Sequence, residues 1–116
     1  MINLTQHQAT AEQVAQGVIE LDAEDAAILR QWLTFDKLPT DTEIIARAIF
    51  IADLALSYGV KQVMIGGAPF LMPALDSALR SEGILPRYAF STRVSSETVI
   101  DGVVTKTNVF KHIGFI

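Results

Sequence analysis

Lys61-Gln62-Val63-Met64-Ile65-Gly66-Gly67-Ala68-Pro69 decides the fold. Five residues read as a central strand, two glycines as a tight turn, and Pro69 as the first turn of a helix. Leu71, Leu75 and Leu79 follow at helical spacing, so that helix lays an apolar side on the strand. Gly83 ends it, and Arg87 to Ser91 is the next strand. Strand, helix and strand in this order predict a parallel α/β unit.

The upstream chain extends the unit. Met1 to Leu4 is a short apolar strand, and Thr10-Ala11-Glu12-Gln13 is a capping box that opens a short helix, which Gly17 closes. Val18 to Leu21 reads as a short strand. Asp22 is the expected cap of a second helix carrying Ala26, Leu29, Trp32 and Leu33 inward. Thr40 and Glu43 start a long third helix, so apolar from Ile44 to Leu56 that it is expected to be mostly buried.

The last third differs. Asp101-Gly102, between Thr98-Val99-Ile100 and Val103-Val104-Thr105, is the strongest hairpin signal in the chain. A two-residue turn there makes paired residue numbers sum to 203. Ser91 then faces His112, Arg93 faces Phe110, Ser95 faces Asn108 and Glu97 faces Lys106, with all eight side chains on one face. The expected fold class is α/β: a mostly parallel sheet flanked by helices, with a C-terminal antiparallel β-hairpin, as one domain over residues 1–116.

Composition narrows the chemistry. The chain has 116 residues, half of them hydrophobic and 19% charged, which excludes intrinsic disorder. It has no cysteine, so thiolate metal sites and a cysteine nucleophile are excluded. Its histidines are His7 and His112, and no Asp or Glu pair has metal spacing, so neither a metal nor a cofactor is expected. A net charge of −4 argues against a duplex-DNA surface. The apolar runs fall short of the roughly 18 residues a membrane helix needs, and no signal-peptide pattern opens the chain. The expectation is a soluble, cytoplasmic protein. Mean hydropathy of +0.34 is high for so small a domain, and points to a homodimer that buries the excess.

Ligands of open parallel sheets bind at the carboxyl ends of the strands. Three segments are expected to meet there: Asn3-Leu4-Thr5-Gln6-His7, Gly66-Gly67-Ala68-Pro69 and Ser91-Thr92-Arg93. The glycines allow close approach of a ligand, and the helix behind them favours an anion. The bland alternatives are a plain tight turn, an exposed His7, and a solvated hairpin face.

Asn3-Leu4-Thr5-Gln6-His7, Thr10 and Glu12-Gln13 resemble the opening of small single-domain CRISPR-associated proteins. Val63-Met64-Ile65-Gly66-Gly67, Tyr88-Ala89-Phe90-Ser91-Thr92-Arg93, Asp101-Gly102 and Phe110-Lys111-His112 look like one branch of that group. These are CARF-like, Rossmann-type ring nucleases of type III CRISPR systems. The resemblance implies a homodimer that binds and linearises a cyclic oligoadenylate, chiefly cyclic tetra-adenylate, by metal-independent attack of a ribose 2′-hydroxyl. It implies that Gly66, Gly67 and Arg93 hold the phosphate and that Thr5 and Ser91 orient it. His7 or His112 is then the general acid or base. Asn3, Gln6, Thr10, Gln13, Ala68, Glu97 and Lys106 complete the candidate ligand contacts. A non-catalytic cyclic-nucleotide sensor and a structural α/β dimer without a nucleotide ligand are the competing expectations.

Overall fold

Strand β2 (Gln62–Ile65) lies inside the sheet, and Val63, Met64 and Ile65 are buried. The computed structural model describes all residues, 1–116. Around β2 stand β1 (Ile2–Leu4), α1 (Ala11–Ala15), α2 (Ala23–Leu33), α3 (Asp41–Ser57), α4 (Met72–Ser81), β3 (Leu85–Ile100) and β4 (Val103–Phe115). The strand order is β1-β2-β3-β4. The first three strands run parallel, and β4 returns antiparallel to β3. The fold is therefore α/β, mostly parallel, with a C-terminal hairpin, as the residue pattern predicts.

Register explains the two faces of the sheet. Ile2 pairs with Val63 and Leu4 with Ile65, so these four share a face. Against them pack Leu29 and Leu33 of α2, Ala48, Ile51, Ala52 and Ala55 of α3, and Leu75 and Leu79 of α4. Asn3 and Met64 pair on the opposite face. The unsatisfied edge of β1 is covered by the segment after α1: the Asn3 N–H donates to the Ile19 carbonyl at 2.9 Å, and the Ile19 N–H to the Met1 carbonyl at 2.8 Å. The expected strand at Val18 to Leu21 is thus a single bridge at Ile19.

Three local expectations need correction. Pro69 does not start α4; it lies in the turn before it, and Pro73 sits in the helix's first turn. Both prolines are compatible with a helix start, so spacing alone could not choose between them. Asp22 stands at the N-cap of α2, but its side chain makes no capping bond. The Asp22 N–H instead donates to the Tyr58 hydroxyl at 3.1 Å. Helix α3 is not mostly buried: Ile45, Ile49, Phe50 and Leu56 are about half exposed. Phe50 stacks on Trp32 with ring centroids 4.5 Å apart.

The hairpin is continuous with the strand expected at Arg87 to Ser91. Strand β3 runs to Ile100 without a break, and Asp101 and Gly102 both have positive φ, 52° and 78°. That is the backbone a two-residue primed turn demands, and glycine adopts it at no steric cost. Pairing follows the predicted sum of 203 from Ile100–Val103 back to Ser91–His112. Between Phe90 and Ser91 a bulge shifts the register, so Phe90 pairs with Gly114. Every residue from 89 to 111 is exposed. The radius of gyration is 17.0 Å, against about 13 Å for a compact chain of this length. The molecule extends 56 × 34 × 26 Å because the ribbon projects from the body.

No helix is long and apolar enough to cross a membrane.

Candidate functional site

Asn3 organises the loop after β1. It is 3% exposed, and nearly all its polar atoms are used. Its Oδ1 accepts from the Thr5 N–H at 2.9 Å and from the Thr5 hydroxyl at 2.7 Å, an Asx turn. Its Nδ2 donates to the His7 carbonyl at 2.8 Å and to the Glu20 carboxylate at 3.1 and 3.2 Å. Glu20 also accepts from the Ala9 N–H at 2.8 Å. One buried amide and one carboxylate thus fold residues 5–9 into a fixed arch, and the His7 ring stands exposed on it.

The arch faces the glycine turn across a crevice of about 420 Å³. Thr5, Gln6, His7 and Gln8 line one wall. Thr10 and Gln13 close one end, and Gly66, Gly67, Tyr88 and Ala89 form the far side over Met64 and Ile65. The crevice sits at the carboxyl ends of β1 and β2, where an open parallel sheet binds its ligands. Thr10 and Gln13 hold each other in the predicted capping box: the Gln13 N–H donates to Thr10 Oγ1 at 3.2 Å, and the Thr10 N–H to Gln13 Oε1 at 3.0 Å. Gln6 donates to the Thr34 hydroxyl at 3.3 Å.

The two glycines do different work. Gly67 has φ of 145°, a region L side chains rarely adopt. Gly66 does not, but a Cβ there would lie 3.6 Å from the Thr5 methyl, so it keeps the crevice open. Gly67→Ala is expected to lower stability by about 1–3 kcal/mol through backbone strain. Gly66→Ala is expected to leave the urea midpoint nearly unchanged while narrowing the crevice. Urea denaturation of both variants checks the contrast; equal midpoints contradict it.

Tyr88 forms the rim. Its hydroxyl donates to Asp76 at 2.8 Å, and Asp76 accepts from Arg80 at 2.7 Å. Burial and the Asp76 hydrogen bond push the phenol above its ordinary value, so it is protonated at neutral pH. Burial pushes the Asp76 carboxyl up, but the Arg80 and Tyr88 hydrogen bonds outweigh that and hold it below its ordinary value.

Of the expected site residues, Thr5, Gln6, His7, Thr10, Gln13, Gly66 and Gly67 share the crevice. Asn3 is the buried organiser of the arch and borders a smaller hollow on its other side, with Glu20 and Arg30. Ala68 packs against the core. The third expected segment is misplaced: Tyr88 and Ala89 reach the crevice, whereas Ser91 and Arg93 lie beyond it on the ribbon. Glu97 and Lys106 are farther out, 3.7 Å apart and exposed. Arg93 sits over the Phe110 ring at 5.6 Å. His112 is buried at the ribbon base, where Nε2 meets Gln16 Oε1 at 2.9 Å and the ring tilts against Phe115. The cause is the length of β3: five residues beyond Tyr88 carry Arg93 about 17 Å along the strand.

The residue pattern overlooked Gln8, Tyr88, Asp76 and Arg30. Tyr88 had a readable signal, because in a parallel pair it is level with Ile65, the last residue of β2. The crevice lining contains no lysine or arginine. No group of three or more His, Asp or Glu side chains is arranged to hold a metal ion.

No curated protein and no solved structure matches the chain. A family model does match, along residues 1–116, and by it the chain belongs to the Uncharacterized protein MJ1673 family.

Proposed function

We propose that this chain is a CARF-like ring nuclease that binds a cyclic oligoadenylate, cyclic tetra-adenylate first among them, and opens it to end type III CRISPR signalling. The supporting observation is the crevice itself: a histidine, a threonine hydroxyl and two adjacent glycines converge at the carboxyl ends of parallel strands. The resemblance of the Asn3–Gln13 and Val63–Gly67 segments to ring nucleases supplies the substrate class.

The substrate carries its own nucleophile. A ribose 2′-oxygen attacks the adjacent phosphorus, the bond to the 5′-oxygen breaks, and the products are a 2′,3′-cyclic phosphate and a 5′-hydroxyl. One proton leaves the 2′-hydroxyl and one reaches the 5′-oxygen. His7 is the acid–base group at the crevice, Thr5 orients the phosphate, and the glycine backbone accommodates it. The protein's largest contribution is to bend the ring into line.

The test is labelled cyclic tetra-adenylate incubated with the protein in EDTA. Linear product ending in a cyclic phosphate is expected, and His7→Ala is expected to slow its formation about 10²–10⁴-fold with the fold intact. A second reading, a binding module without turnover, is favoured by a crevice lining that holds one histidine and no carboxylate, lysine or arginine. Intact ligand co-eluting with the protein would establish that reading and refute the nuclease.

A further inference from the structure

We propose that the β3–β4 ribbon is an arm that docks across the crevice of a second copy of this chain and brings it the cations its own lining lacks. The docking rests on the ribbon and its charge. Only the use of those cations on a phosphate rests on the nuclease reading.

Direction comes first. Strand β3 runs parallel to β1 and β2, so its continuation past Tyr88 leaves the body at their carboxyl ends, the crevice end. The arm therefore points away from its own body on the side where a two-fold partner's crevice would face it. Two-stranded ribbons are marginal in water unless something covers them. This one exposes Val94, Val109, Ile100 and Val103 on one face and Phe110 on the other, with Phe110 72% exposed. Among residues 1–116, no segment covers the arm between Ser91 and Lys111.

Charge selects the occupant. Residues 89–115 carry three Lys or Arg (Arg93, Lys106, Lys111) against two carboxylates (Glu97, Asp101). The rest of the chain carries six against eleven. The acidic excess includes Glu12 in the first turn of α1 and Glu20, which anchors the arch. A weakly basic arm thus fits the acidic body of an identical chain, and a two-fold axis satisfies both arms at once. Ser91 to Lys111 supplies about twenty residues, the scale of one side of a stable interface. The half-exposed α3 face has the apolar side chains for a dimer but not this complementarity.

The absence of cysteine makes the test clean, because any introduced thiol is unique. Ser95→Cys on the arm and Gln8→Cys on the arch are prepared separately, mixed, and joined with a short bis-maleimide. A covalent dimer from the mixture is expected, with the unaltered chain sedimenting as a dimer at tens of micromolar. Phe110→Asp, on the face of the arm that carries Arg93 and Ser95, is expected to weaken that dimer at least tenfold while the circular dichroism of the body is retained. A monomeric unaltered chain overturns the proposal. So does a mixture that yields only Ser95→Cys joined to itself and no product of Ser95→Cys with Gln8→Cys, told apart by mass, or a dimer that survives Phe110→Asp and dissociates on Phe50→Asp. Mass and cross-link do not depend on catalysis. A cross-linked dimer inert toward cyclic tetra-adenylate refutes the nuclease and leaves the arm; an active monomer does the reverse.

Discussion

Asn3→Asp is expected to cost about 3 kcal/mol of folding stability, measured as a lowered urea midpoint at neutral pH. The change is nearly isosteric and keeps the oxygen that accepts from Thr5. What it removes is the amide that donates to the His7 carbonyl and to Glu20. A carboxylate in its place meets the His7 carbonyl and the Glu20 carboxylate with no proton to offer. Asn3 is 3% exposed, so water does not replace the lost partners. Asn3→Ala is expected to cost less, about 2 kcal/mol, because it loses the bonds without adding a buried charge. The Asp variant is expected to regain part of its loss as pH falls from neutral toward about 4, because burial beside Glu20 raises the pKa of the new carboxyl and its protonated form is a donor again. A midpoint equal to that of the unaltered protein contradicts the organising role.

Leu75→Ala is the second large effect, with an expected loss of about 3–4 kcal/mol by thermal or urea unfolding. Leu75 is fully buried at the middle of the stripe Leu71, Leu75 and Leu79, which seats α4 on the sheet. Truncation removes transfer energy and leaves a cavity bounded by elements that cannot all collapse. The loss reaches the crevice as well, because the next residue, Asp76, holds Tyr88 at the rim. A loss below about 1 kcal/mol would mean that α4 relaxes freely, and that the rim is softer than its hydrogen bonds imply.

How much of this was legible before the structure depended on the distance over which each interaction acts. The Asp101-Gly102 turn is local, and it carried ten cross-strand pairs down to Ser91–His112 in the predicted register. The capping box at Thr10 and Gln13 is local and formed as read. The arch was half legible. Asn3, Thr5 and His7 stood out, but the partner that fixes them is Glu20, seventeen residues away in the stretch Val18 to Leu21, whose pattern reads only as a short strand. The position of Arg93 failed for another reason. Alternation tells which face a strand residue takes but not where the sheet ends beneath it, and β3 outruns its parallel neighbours by twelve residues. The exposure of α3 was hidden because its apolar residues surround the helix on all sides, and such a pattern does not distinguish a buried helix from one awaiting a partner.

The edge position of β1 has a kinetic consequence. Its sheet partner, β2, lies about sixty residues along the chain, so this contact closes a far larger loop than β2 makes with β3. The stretch from α3 to Tyr88 can assemble from near neighbours, while the first twenty residues join by long-range contacts alone. They are expected to dock last onto the body and to release together in a sub-global opening. One wall of the crevice is thus a separate cooperative unit from the other. A molecule bridging the Thr5–His7 arch and the glycine turn would latch the two together, and slower exchange of the Asn3 and Leu4 amides on its addition is the expected gauge of its occupancy.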